Sequence, residues 1–192
     1  MSGTRSIIDP EQLNALVSTV RQDIVDTLLV RDEMSVRELA RHLGARPSSL
    51  YYHLAELERV GLVVRHDRTR LDGRPEARYA VEEDRLEIAY RPADPENVAR
   101  VTRVVRSILR LAERDFTRGF EHEDVSVEGP ARNLWGARGK ARLAPRDLER
   151  VNALLGEISD VFSRARSGDE GTLCAVSWVL APVADRSDAG PG

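Results

Sequence analysis

Nine arginines and six carboxylates fall between Ser35 and Val81, a local charge of +3 in a 192-residue chain whose net charge is −3. Guanidinium groups are planar, permanently charged donors that match phosphate oxygens. Arg37, Arg41 and Arg46 lie just before a run of short polar and aromatic side chains, Ser48, Ser49, Tyr51, Tyr52 and His53. Arg65, Arg68, Arg70, Arg74 and Arg78 bracket a turn-rich string. Cations that grip a nucleic-acid backbone, set beside side chains that can reach base edges, are the two ingredients of duplex recognition. Lys140 is the single lysine, so every other basic side chain is arginine.

These groups are useful only if rigid elements hold them. Ser35 and Glu38 form a capping box that starts a short helix, in which Val36, Leu39, Ala40 and Leu43 make the apolar face. Gly44 follows as the C-cap. Pro47 opens the next helix, expected over 46–60, with Leu50, Leu54 and Leu57 as its core stripe. Once those leucines point inward, Ser48, Ser49 and Tyr52 point outward. The pair reads as a helix-turn-helix, in which one helix enters the major groove and the other braces it. Ser35, Arg37, Arg41 and Arg46 are then expected on phosphates. Residues 62–65 and 77–81 read as two strands joined by the polar tip 68–75, a hairpin whose arginines suit the backbone or the minor groove.

The remaining chain is read as a frame around this unit. A single helix is expected from Asp9-Pro10 to about Val30, then a short polar link, Arg31 to Glu33. Past Glu82, residues 86–90 read as extended and 95–119 as a long helix with Val98, Val101, Val105, Ile108 and Ala112 in one stripe. Residues 121–130 read as a loop and 133–143 as a strand pair or extended segment. A last helix is expected over 145–166, with Leu148, Val151, Leu155, Ile158, Phe162 and Ala165 at heptad-like spacing. Residues 172–180 read as a buried strand, and 185–192 have the composition of a disordered end. The expected fold class is α+β. Residues 1–9 form a flexible start, 10–83 a winged helix-turn-helix, 84–184 a smaller helix-rich domain for dimerisation or an effector, and 185–192 a tail.

Several functions are disfavoured. Hydrophobic residues make up 41% of the chain and aromatic ones 5%, which predicts an aliphatic core. No stretch has the length of a membrane span, and the first residues lack the apolar run of a signal peptide, so the expected location is the cytoplasm. The lone Cys174 allows neither an internal disulfide nor a multi-cysteine metal site. His42, His66 and His122 stand singly, and no cofactor or metal is expected. The second half offers no nucleophile–base pair and no glycine-rich phosphate loop, which argues against an enzyme. Trp135 and Trp178 read as core side chains before ligand-pocket ones.

Over residues 10–82 the sequence resembles the ArsR/SmtB-like winged-helix repressors. The resemblance rests on RELARHLG, SSLYYHLAELERVGLV and GRPEARYAV. In metal-sensing members two cysteines sit on the helix before the recognition helix. Ser35 and Arg37 stand at those positions, so metal sensing there is not expected. The resemblance implies a homodimer on an operator of two-fold symmetry, with recognition-helix contacts at Ser48, Ser49, Tyr51, Tyr52 and His53, and it leaves room for a small-molecule effector. The competing reading is a winged helix used as a protein–protein interaction module without sequence-specific DNA binding.

Overall fold

The computed structural model describes residues 4–83, 85–165 and 171–184. The fold is α+β, a winged helix-turn-helix followed by two further helices. Strand β1 (Thr4–Ile7) leads into α1 (Pro10–Leu16) and α2 (Thr19–Arg31). Next come β2 (Glu33–Ser35), α3 (Val36–His42) and α4 (Pro47–Arg59). The wing is β3 (Val64–Thr69) and β4 (Pro75–Ala80), and β5 (Arg85–Ile88) leads to α5 (Pro95–Gly119). After a long irregular stretch, α6 (Pro145–Arg164) closes the regular structure.

The expected first helix is two helices. Asp9 caps α1, its carboxylate accepting from the Glu11 and Gln12 amides. Ser18 breaks the run, because its hydroxyl accepts from the Arg21 amide and starts α2 afresh. The apolar period continues through the break, so Leu13, Leu16, Ile24, Val25 and Leu28 all reach the core. Thr4–Ile7 form a strand, where a flexible segment was expected. β1 pairs in parallel with β5, Ile7 opposite Ile88, and Ile7 is fully buried. Arg5 anchors this strand by donating to the Gly61 carbonyl at 2.8 Å and to Glu83 at 3.0 Å.

The wing is a three-stranded antiparallel sheet in the order β2-β4-β3. Its third strand, β2, begins at Glu33, the last residue of the stretch read as a polar link, and runs on through Met34 and Ser35. Ser35 pairs with Arg78 and Glu33 with Ala80 in the β2–β4 ladder. Gly44 and Gly73 make the helix-turn-helix turn and the wing tip at φ of +60° and +79°, where a Cβ would be strained.

One core runs through the helix-turn-helix and on into α5. Leu39, Leu50, Leu54, Leu57, Leu62 and Val63 are sealed, and Val101 and Val104 of α5 join the same cluster. The buried line of α5 is Asn97, Val101, Val104, Ser107 and Leu111, rotated from the expected stripe, and Val98 is 45% exposed. Both lines are apolar enough to serve, and contact with α1 and α2 selects one. Arg114 of α5 then pairs with Asp23 of α2, and Arg103 donates to the Asn14 side chain at 3.1 Å.

The strand expected at 172–180 does not form, and 133–143, read as a strand pair or an extended segment, has no strand pairing. Residues 133–143 are irregular, although Asn133 knits back to Ser126 through its side chain (2.8 Å) and main chain (2.9 Å). Residues 172–180 have no regular structure and are exposed, Cys174 with them. A strand needs a ladder partner for its backbone groups, and no described strand pairs with this segment. The heptad-like face of α6 is likewise open, with Ser159 its one buried residue. Arg166 and the tail 185–192 lie outside the described residues. Among the described residues no helix is long and apolar enough to cross a membrane.

Candidate nucleic-acid interface

Helix α4 is fixed by its leucines and presents the opposite face to solvent. Leu50, Leu54 and Leu57 are at most 1% exposed. Tyr51 and Tyr52, on the same helix, are 57% and 71% exposed. Their rings leave apolar area in solvent that the core does not use. Ser48 and Ser49 are exposed one turn earlier. The Ser49 hydroxyl donates to the Arg46 carbonyl at 2.7 Å and keeps its lone pairs free to accept.

His53 sits differently. Its ring meets Tyr52 edge-on at 5.6 Å, and its Nδ1 is buried without a partner. Burial pushes its pKa below the ordinary histidine value, and the charge of Arg21 adds to this. A neutral, half-buried imidazole orients Tyr52 better than it grips a phosphate.

Ser35 is buried at 4% exposure and fully occupied. Its hydroxyl accepts from the Glu38 amide at 3.4 Å while its own amide donates to Glu38 at 2.7 Å. The capping box therefore takes the group that the sequence placed on a phosphate.

The arginines divide into two groups. Arg37, Arg41, Arg46 and Arg74 are exposed and have no carboxylate partner among the described residues. The other four are engaged. Arg65 pairs with Asp67 at 3.0 Å and Arg68 with Glu33 at 3.2 Å. Arg70 lies 3.4 Å from Asp72 and 3.6 Å from Glu76. Arg78 is half-buried, donates to the Glu33 carbonyl at 2.9 Å and pairs with Glu38 at 3.0 Å. Surface pairs of this kind are weak and exchange readily for phosphate, except at Arg78, whose position inside the sheet makes it a brace. His66 adds to that brace with Nδ1 2.8 Å from Glu33. Burial raises the Glu33 pKa, but hydrogen bonds from His66 and Arg68 outweigh it and leave the carboxyl below its usual range.

Leu71 was not singled out from the sequence. It stands at the wing tip, fully exposed, between Arg70 and Arg74. The signal was available: an aliphatic residue in a turn has no packing reason to be there. Apolar side chains at such tips can wedge between base steps in a minor groove.

A family profile described as a helix-turn-helix domain matches residues 16–66, less than half of the chain. No curated protein matches the sequence. Among solved structures, a possible transcriptional regulator from Methanosarcina mazei Go1 is 13% identical, with 58% of this chain and 84% of that one covered at a TM-score of 0.32. The YusO protein from Bacillus subtilis is 12% identical, with 79% and 83% covered at a TM-score of 0.32.

Proposed function

We propose that this chain is a sequence-specific DNA-binding transcriptional regulator acting as a homodimer. Helix α4 enters the major groove, and Ser48, Ser49, Tyr51 and Tyr52 meet base edges there. Arg37, Arg41 and Arg46 take flanking phosphates. Arg65, Arg68, Arg70 and Arg74 follow the backbone along the wing, and Leu71 reaches the minor groove. The observation that supports this most is the open aromatic and hydroxyl face of α4, accompanied along the chain by the exposed, partnerless Arg37, Arg41 and Arg46 before it and Arg74 after it. A protein-binding module would not need these unpaired guanidinium groups. Residues 84–184 serve dimerisation in this reading, with any effector acting through them. Two copies related by a two-fold would read half-sites about 34–36 Å apart.

Fluorescence anisotropy with labelled duplexes across a salt series tests the reading. Phosphate contacts release counterions, so the affinity should fall steeply, with a log–log slope near −0.9 per phosphate neutralised. Affinity for no duplex at low salt would favour the interaction-module reading.

A further inference from the structure

The wing sheet has two faces, and strand alternation sorts its arginines between them. Met34 and Tyr79 are buried at 5% and 6% exposure, so their side of the sheet looks toward the core. Arg65, opposite Tyr79 in the ladder, shares that side. His66, Arg68 and Arg78 lie on the other side, together with Glu33 of β2. Strands β2 and β3 do not pair directly, since β4 lies between them. The Glu33 side chain spans that gap. Its Oε1 accepts from Arg68 Nε at 3.2 Å and lies 2.8 Å from His66 Nδ1. Arg78, on the strand between, donates to the Glu33 main-chain carbonyl at 2.9 Å and has its Nε 3.7 Å from Glu33 Oε2. Both of the other strands therefore hold this one residue in place.

The wing arginines differ in which nitrogens they have left over. Arg65 spends Nε and Nη2 on Asp67. Arg70 is divided between Asp72 through Nε and Glu76 through Nη1. Arg68 is held through Nε, and among the described residues its Nη1 and Nη2 meet no acceptor. Glu76 stands opposite Arg68 in the ladder but is taken by Arg78 at 3.3 Å. The Arg68 side chain is 58% exposed, so the free end of its fork is open to solvent.

We propose that Glu33 is a positioning residue for DNA, buttressing Arg68 so that the two free Nη groups of that guanidinium meet a backbone phosphate of the duplex. This rests on the reading of the chain as a DNA-binding regulator and adds to it a residue that touches no DNA itself. Two parallel N–H···O bonds to one phosphate need the guanidinium plane fixed. An arginine fixed before the duplex arrives loses less side-chain entropy on binding. Because Nε alone is engaged, the phosphate is met without breaking the ion pair. A carboxylate beside a DNA-binding surface otherwise opposes binding by its charge. Buttressing and charge therefore predict opposite signs when Glu33 is neutralised.

The test uses the full chain with Glu33→Gln, Arg68→Ala and the double variant, each titrated by fluorescence anisotropy with the duplex the wild type binds best. Glutamine keeps the length of the side chain and the main-chain carbonyl that Arg78 uses, and urea midpoints check that each variant is folded. Glu33→Gln should weaken binding by roughly two- to ten-fold per protomer, the cost of ordering one arginine side chain during binding. In the Arg68→Ala background the same substitution should leave affinity unchanged or tighten it, because only the charge effect remains. A merely structural role would weaken binding in both backgrounds. In the free protein the Arg68 Nε–H resonance, identified by its loss in Arg68→Ala, should shift and exchange faster with water in Glu33→Gln. Unchanged or tighter binding by Glu33→Gln alone, equal weakening in both backgrounds, or an unmoved Nε–H resonance overturns the proposal and leaves the regulator reading standing. A wild type that binds no duplex overturns the regulator reading and this role with it.

Discussion

The Arg78 guanidinium donates to the main-chain carbonyl of Glu33 at 2.9 Å and so ties the returning wing strand to the strand before α3. The same side chain pairs with Glu38, which belongs to the capping box of α3. The wing and the helix-turn-helix thus share one half-buried cation. Replacing Arg78 with Ala should destabilise the fold by roughly 1–3 kcal/mol, because it removes charge-assisted bonds and leaves acceptors unpaired. Replacing Arg74, which has no such role, should leave stability within about 0.5 kcal/mol. Urea midpoints of the two variants check this.

The face of α4 should carry specificity. Ser49→Ala or Tyr52→Ala should weaken binding to the best duplex by roughly 1–3 kcal/mol and spare binding to unrelated duplexes. Competition titrations with a scrambled duplex give the comparison.

The partnerless arginines should carry charge rather than specificity. Arg37→Ala and Arg46→Ala should weaken all duplexes alike, each shallowing the salt slope by about 0.9 per protomer bound. Arg78→Ala should change that slope less, since the side chain already serves the sheet.

Acid should loosen the fold partly through His53. Its pKa is lowered in the fold from the ordinary 6.5. The unfolded chain then binds the proton more readily, so stability falls as pH drops below about 6.5 and levels off once the folded value is passed. His53→Gln should remove this part of the pH dependence. Glu33 and Glu38 act in a lower window. Their pKa values are lowered below 4.5, so the stability they add is present above that pH and is lost as pH falls through the folded values. Denaturation curves from about pH 7 to pH 3 separate the two windows.

Local chemistry was legible and distant pairing was not. Ser35 with Glu38, Pro47, Gly44 and the Leu50-Leu54-Leu57 stripe specify α3, the turn and α4 within a few residues each, and all appear as read. The α1–α2 break was hidden because Ser18 interrupts the backbone without interrupting the apolar period. The β1–β5 pair joins residues some eighty positions apart, in parallel, and nothing local announces it. Ser35 shows a further ambiguity: a hydroxyl that can cap a helix can also meet a phosphate, and burial decides between them. For 172–180 the apolar pattern was visible, but a strand also needs a ladder partner, and no described strand pairs with this segment.

Selection of bound duplexes from a random pool tests the central claim most directly, with wild type and Tyr52→Ala run in parallel. The account predicts an enriched inverted repeat for the wild type, half-sites one helical turn apart, and a relaxed preference for the variant at positions within each half-site. Equal enrichment for both proteins, or none for the wild type, would contradict it.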